Sequence, residues 1–437
     1  MSLEQLCEMV GNESFQQTFG RVKQVRRDAV RVMLPHVRVG ALCMVKSAGQ
    51  NVPLEIVSLD PSGHTAMPLD DLGSIQLGDP VYLVSDEATI PVGDEMLGRV
   101  VDSMCHPYDD KPMNLKHKAL LYGGKLNPMD RQIITEPIDL GVRAINACLT
   151  CGKGQRQGIF AGSGVGKSVL LGMIARYTSA DVVVISLLGE RGREVREFIE
   201  RDLGPEGLKR SIVVVETAEK SAVRRVRGAF VATAIAEHFR AQGKQVLLMM
   251  DSLTRFAMAA REIGIAAGEP PTTKGYTPSV FSNIARLVER AGNWGAEGSI
   301  TGLYTVLVEG DDLDDPVADN TRAILDGHIV LSRQLANKGQ YPAIDLLTSI
   351  SRVMDSIVSK NQMREARLVK QWLSKFKENE DGIQYGMYVK GSDPLIDECI
   401  EREPHVRSLL AQEREDSSNF SDSVRFLERI VNYEEAT

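Results

Sequence analysis

Between Gln155 and Gly310 the chain alternates short, nearly unbroken apolar runs with longer amphipathic ones. "DVVVISLLG", "SIVVVET", "KQVLLMMD" and "ITGLYTVLVEG" carry apolar residues at odd and even positions alike. A strand that is apolar on both faces is buried on both, which is the pattern of a parallel sheet covered by helices. "KSVLLGMIARY" and "AFVATAIAEHFRAQG" supply such helices. The pattern predicts a doubly wound α/β core beginning near Asp139.

The texture differs on either side. From about Phe19 to Val84, "GRVKQVRRDAVRVMLP", "ALCMVKS" and "PLEIVSL" are short β-branched stretches punctuated by Gly, Pro and Asp. This spacing predicts a small β-barrel or sandwich. "ATIPVGDEMLGRVVD" and "HPYDDKP" then read as a linker. After about Val353 the chain turns helical and charged, as in "MREARLVKQWLSKFKENED" and "SVRFLERIVNYEEA". At the start, Leu3, Leu6, Cys7 and Val10 share one helical face that Gly11 would end. That face fits either a terminal turn on its own domain or a docking helix. The expected division is an arm over 1–18, a β-barrel over 19–86, a core with its linker over 87–352, and a helical C-terminal domain over 353–437.

Composition narrows the class. The chain has 437 residues, 43% hydrophobic and 25% charged, enough for a sizeable core. A net charge of −8 argues against a broad footprint on nucleic acid. No apolar run is long enough to span a bilayer and no signal-peptide core is visible, so a cytoplasmic protein is expected. The six cysteines are scattered, and Cys148 and Cys151 have no second pair or nearby histidine to complete a zinc set.

The candidate chemistry starts at "FAGSGVGKS". Ala161-x-x-x-x-Gly166-Lys167-Ser168 is a P-loop with Ala in the first position. Backbone N–H groups approach a triphosphate closely only where few Cβ atoms intervene. Lys167 would reach the β- and γ-phosphates, and Ser168 would ligate Mg²⁺. "QVLLMMD" ends an apolar strand in Asp251, at the edge where α/β ligands sit. Asp251 is read as the second organiser of the metal, or alternatively as the cap of the following helix. "LLGERGREVREF" places Glu190 directly after another buried strand, as the candidate catalytic carboxylate. Arg191 beside it would stabilise γ-phosphate charge, and Glu194 would reach the outer shell of the metal. The alternative is a charged first helical turn, which suits Arg196 and Glu197 better than Glu190.

Together "AGSGVGKS", "GERGREVREF", "MDSLTRFAMAAREIGIAAGEPPTTKGYTPSVF" and "YPAIDLLTSISR" resemble the ATPases of type III protein export, flagellar and injectisome. These are relatives of the rotary ATP synthase subunits. The resemblance runs through "GSDPLIDECI" and implies a RecA-like P-loop core between an N-terminal β-barrel and a helical C-terminal domain. It implies ATP as substrate with Mg²⁺ as cofactor, the P-loop falling on Gly162, Ser163, Gly164, Val165, Gly166, Lys167 and Ser168. It also implies catalysis by Glu190, the Walker B carboxylate at Asp251, and an arginine near the γ-phosphate at Arg255. Tyr341 matches the aromatic that stacks on adenine, and Arg352 the arginine finger given to a neighbouring subunit. A core aromatic and a structural ion pair are the other readings of these two.

The implied assembly is a homohexamer, working with a peripheral stator, a central stalk and chaperone–cargo complexes on the cytosolic side of the membrane, with no nucleic acid. "GEPPTTKGYTP" would face the centre of such a ring or be an ordinary surface loop. Two places depart from the family pattern. Ser103, Met104 and Cys105 stand where relatives are Gly-rich, and Asn146 replaces a common Asp. Two other functions share parts of the pattern. A rotary ATPase subunit would divide its site between unlike chains, whereas this chain carries both Glu190 and Arg352. A Rho-type RNA translocase should show a basic, aromatic-bearing surface, against which the net acidity and 5% aromatic content count.

Overall fold

The computed structural model describes residues 18–432 apart from 125, 126, 309, 311 and 313, so the apolar face expected over Leu3–Val10 lies outside the described residues. Phe19–Val25, Val30–Met33, Leu42–Ser47, Gln50–Ser58, His64–Pro68 and Pro80–Ser85 form a closed barrel. The first strand pairs with both the second and the sixth, which makes a barrel of what the sequence left as barrel or sandwich. Val30, Val32, Val45, Leu54, Ile56 and Val81 fill its interior. Their spacing of two along each strand is the inward half of the pleat.

The apolar runs of the core form one sheet, in the order Ile344–Ser351, Gly327–Leu331, Arg156–Ala161, Ser299–Leu307, Gln245–Asp251, Val182–Leu188, Ser211–Glu216, Val100–Val101. These pairings are parallel except at the Ile344–Ser351 edge. Alternate residues feed two separate cores. Val183, Ile185, Leu187, Leu247 and Met249 pack with the helix Lys167–Tyr177 and with C-terminal Val369, Trp372, Leu409 and Leu427. Val184, Leu188, Leu248 and Met250 pack with Phe230, Phe256 and Ile284 from helices Ala222–Arg240, Leu253–Ala267 and Pro278–Val288. Each fully buried Leu, Val or Phe contributes about 1.5–3 kcal/mol, so neither face tolerates polar residues freely.

The stretch expected as a linker is built into the fold. Val100–Val101 forms the last strand of the main sheet, and Thr89–Val92 pairs with His117–Leu120. Apolar Ile90, Val92, Met96 and Val101 are buried in the second core, and this burial overrides the Gly, Asp and Pro that suggested a linker. Cys105 holds a left-handed backbone, φ 64°, at the turn where a glycine would sit without strain. Buried charges join barrel to core. Arg227 Nη1 lies 3.2 Å from Glu55 Oε2, and the Tyr122 hydroxyl donates to the other Glu55 oxygen. Arg224 meets Asp70 of the loop after the barrel strand His64–Pro68 at 3.2 Å, Asp102 at 3.4 Å and Glu216 at 3.7 Å.

Three helices, Lys360–Gln384, Pro394–Leu410 and Phe420–Val431, pack beside Arg143–Cys148 at the C-terminal end of the chain. Asn146 is the buried tie. Its amide donates to Asp139 Oδ1 at 2.8 Å and to the Ser418 carbonyl at 3.0 Å. Cys148 and Cys151 are buried thiols, each pushed up to about 12 chiefly by desolvation, and both pack in the first core.

Candidate nucleotide site

The strand Arg156–Ala161 delivers the chain to the carboxyl edge of the sheet, and the helix Lys167–Tyr177 leaves from it. Between them Val165 is buried as an anchor, while Ser163 and Gly164 are exposed. Gly164 and Gly166 have φ of 78° and 88°, where side chains are rarely accommodated. No side chain caps the helix, so its first N–H groups are free to take an anion. A Cβ at Gly166 would lie 3.3 Å from the ring of Tyr341, so that half-exposed ring stands beside the phosphate loop. Ser168 is exposed in the first helical turn.

Two further strands end at the same edge. Leu187 is level with Asp251 in the sheet, and Glu190 follows one turn after Leu188. Lys167 Nζ bonds Asp251 and lies 3.8 Å from Glu190 Oε1. Thr305 donates to Asp251 Oδ1 at 2.8 Å. Asp251 therefore belongs to the cluster, and the neighbouring Ser252 is the helix cap, accepting from the Arg255 N–H at 3.3 Å.

Burial pushes the Glu190 carboxyl up to about 7; the Asp251 charge adds to this and Lys167 opposes it. Glu190 and Glu194 share a side-chain hydrogen bond. Glu194 lies below the usual range: partial burial raises it, but the bonds from Glu190 and Arg191 outweigh that. Arg191 is 81% exposed and pairs with Glu194 at 3.1 Å, so it stands outside the buried cluster. Arg255 packs against Gly189, and its buried Nε has no hydrogen-bond partner among the described residues.

These features fit a nucleotide with a divalent cation. One ammonium between two carboxylates leaves a net negative charge, an open-backbone loop ends in an uncapped helix, and a buried guanidinium nitrogen lacks an acceptor. Mg²⁺ keeps most of its waters and needs few protein oxygens, which Ser168 and Asp251 can supply with Glu194 further out.

Arg352 is elsewhere. Ile344 pairs with Leu331, which is level with Ala161 at the phosphate loop, whereas Ser351 pairs with Gly327 at the other end. The intervening strand has 8 residues, about 26 Å at 3.3 Å each. Arg352 donates there to the carbonyls of Leu325 and Arg322 at 3.2 and 3.4 Å. Thr305 was not singled out from the sequence, although a threonine within an apolar strand is a visible signal. Gln412, whose N–H donates to the Tyr341 carbonyl at 2.9 Å, gives no local signal at all.

Comparison with known proteins agrees along nearly the whole chain. Residues 141–351 match the "ATP synthase alpha/beta family, nucleotide-binding domain", and residues 358–429 match the "T3SS EscN ATPase C-terminal domain". The chain is similar to the flagellum-specific ATP synthase of Bacillus subtilis, 46% identical with 100% of each chain covered. It is similar to the type 3 secretion system ATPase of Sinorhizobium fredii, 45% identical over 94% of this chain and 92% of that one. Among solved structures, the assembled ATPase EscN of the enteropathogenic E. coli type III secretion system superimposes with a TM-score of 0.89, at 42% identity, covering 94% of this chain and 100% of that one. EscN in complex with its central stalk EscO gives a TM-score of 0.87 at 41% identity, covering 94% and 100%.

Proposed function

We propose, from the premise that the chain belongs to the family of flagellum-specific and type 3 secretion system ATPases and is itself an ATPase, that it hydrolyses Mg²⁺-bound ATP as a homohexamer to energise protein export. The observation that carries the reading is the convergence of Lys167, Asp251 and Glu190 where three parallel strands end.

The N–H groups around Gly164, Val165, Gly166 and Lys167 would cradle the phosphates, with Gly162 and Ser163 leading into the turn. Lys167 would exchange part of its carboxylate pairing for the β- and γ-phosphates. Ser168 and Asp251 would hold Mg²⁺, with Glu194 further out. When bound, the cation screens phosphate charge and polarises the γ-phosphoryl group. Glu190 would orient the attacking water and take its proton, for which a carboxyl near 7 is well matched. Arg255 would offer its Nε, unpartnered among the described residues, to the γ-phosphate, and Arg191, exposed on the surface, would add charge there. Tyr341 would stack on the base. Arg352 cannot reach the site of its own chain, which supports its serving the site of the next subunit.

By analogy with EscN and its central stalk, the partners would include a stalk protein. A stator, chaperone–cargo complexes and the cytosolic side of the export membrane complete the proposed setting, with "GEPPTTKGYTP" turned to the ring centre. The units 19–86, 87–352 and 353–437 are proposed as its domains. Phosphate release by the purified chain tests the core of this reading. Activity should require Mg²⁺, vanish with EDTA, and be abolished in Lys167→Ala with weakened nucleotide binding. Hydrolysis within a few-fold of the parent in that variant would remove the P-loop from the mechanism.

A further inference from the structure

The segment after helix Pro394–Leu410 is tied to the nucleotide site by a cluster of buried bonds. Gln412 is 6% exposed and every polar group of its side chain is engaged. Its Nε2 donates to the carbonyls of Gly141 and Asp416, both at 2.9 Å, and its Oε1 accepts from the Arg143 N–H at 2.7 Å. Its own backbone N–H donates to the Tyr341 carbonyl at 2.9 Å. The residues that follow hold the P-loop helix and the helical segment Phe198–Leu203 beyond Glu190. Arg176 donates to the Arg414 carbonyl at 2.5 Å, the Tyr177 hydroxyl to the Glu415 carbonyl at 2.9 Å, and Arg414 lies 3.1 Å from Asp202. Tyr341 itself is 47% exposed; its carbonyl accepts from the Gln412 N–H, and the Cδ1–Cε1 edge of its ring stands beside Gly166.

We infer that Gln412 is a positioning residue for nucleotide-base recognition: its anchored amide fixes the backbone of Tyr341 and so the plane on which the base stacks. The inference rests on the reading of Tyr341 as the base-stacking residue. It follows from the direction of the bonds. An aromatic platform contributes affinity only if its plane is set before the ligand arrives, since ordering it on binding costs free energy. A half-exposed ring cannot be set by packing alone. The carbonyl bond to Gln412 sets it from behind, and two bonds to the segment Gly141–Arg143 and one within its own loop set Gln412.

The test separates base from phosphates. Binding of ADP and of inorganic tripolyphosphate, which has no base, is measured by calorimetry on the full chain. Gln412→Met keeps the volume and removes the three side-chain bonds. It should weaken ADP by about five- to tenfold while tripolyphosphate binding stays within about twofold, because only the stacked base is affected. In steady state the KM for ATP should rise with kcat within about twofold. Gln412→Glu keeps the acceptor for Arg143 and loses the two donated bonds. It should behave alike and serves if the Met variant folds poorly. Equal loss for both ligands would mean general loosening, and no loss for either would mean that Tyr341 needs no anchor; each overturns the inference. Tyr341→Ala sorts the failures. If it leaves ADP binding unchanged, the base-stacking reading is wrong. If it weakens ADP while both Gln412 variants do not, only the role of Gln412 is wrong.

Discussion

Glu190 has the most sharply defined task of any single residue here. It is held between Lys167 and Glu194, burial pushes its carboxyl up to about 7, and on the proposed reading it orients the water that attacks the γ-phosphate. Glu190→Gln keeps its shape and hydrogen bonding. ATP affinity should stay within about threefold while turnover falls by about 10²- to 10⁴-fold, since proton transfer belongs to the transition state. Calorimetry and phosphate release on the same preparation decide it. Preserved turnover would make Glu190 structural. At this scale the sequence was informative where chemistry restricts residue type. A phosphate loop needs glycines, and a carboxylate after a buried strand has few other reasons to be there. It was silent where a residue matters through a distant contact. Thr305 reaches Asp251 only because two strands are adjacent, and Gln412 reaches Tyr341 only across the fold.

Two elements show how packing sets sequence. The helix Lys167–Tyr177 contains Gly172, a residue that costs about 1 kcal/mol relative to Ala in a free helix. A Cβ there would lie 2.5 Å from the Asp202 carbonyl oxygen, so the helix meets the helical segment Phe198–Leu203 backbone to backbone. Gly172→Ala should therefore destabilise, by about 1–3 kcal/mol in urea unfolding, where helix propensity alone forecasts a gain. The strand Gly327–Leu331, second from the edge of the sheet, carries His328, whose ring nitrogen bonds the Thr348 carbonyl at 3.0 Å. Burial lowers its pKa below 6.5; the bond to Thr348 opposes this, and Arg322, Arg352 and Lys370 add to it. The unfolded chain then binds the proton more readily. His328 contributes stability above about 6.5 that is lost as pH falls through and below that value. Between pH 7.5 and 5.5 the melting temperature of His328→Gln should fall less than that of the parent, by roughly 1–3 °C. Parallel curves would remove His328 from the account. The sequence pattern disclosed the helix Lys167–Tyr177 and doubly apolar strands such as Val182–Leu188, because such runs admit few alternatives, but not the shorter Gly327–Leu331. It misread Val100–Val101, where two residues make a strand only because an open sheet edge is waiting.

On the scale of the whole molecule, barrel, sheet and helices were legible as separate textures, but their joints were not. Glu55–Arg227 and the cluster around Arg224 connect positions remote in sequence, and isolated charges carry no mark of their partners. The same is true of assembly. With the phosphate loop at the carboxyl edge of the sheet and Arg352 at the opposite edge, specific ATPase activity should rise with protein concentration as subunits associate, by mass action. Concentration-independent turnover by a monomer would exclude a shared site.

That separation also governs inheritance. On the proposed reading a site needs its own Glu190 and the Arg352 of the adjoining copy, so a defective chain would spoil work done by a healthy one. In rings assembled at random from equal amounts of parent and Arg352→Ala chains, about half the sites should remain competent, and with a chain carrying both Arg352→Ala and Glu190→Gln only about a quarter. The dose response is then linear for either single lesion and quadratic for the pair. Sites confined within one chain would make all three curves coincide, and in a cell expressing both alleles the double lesion would lose its excess dominance.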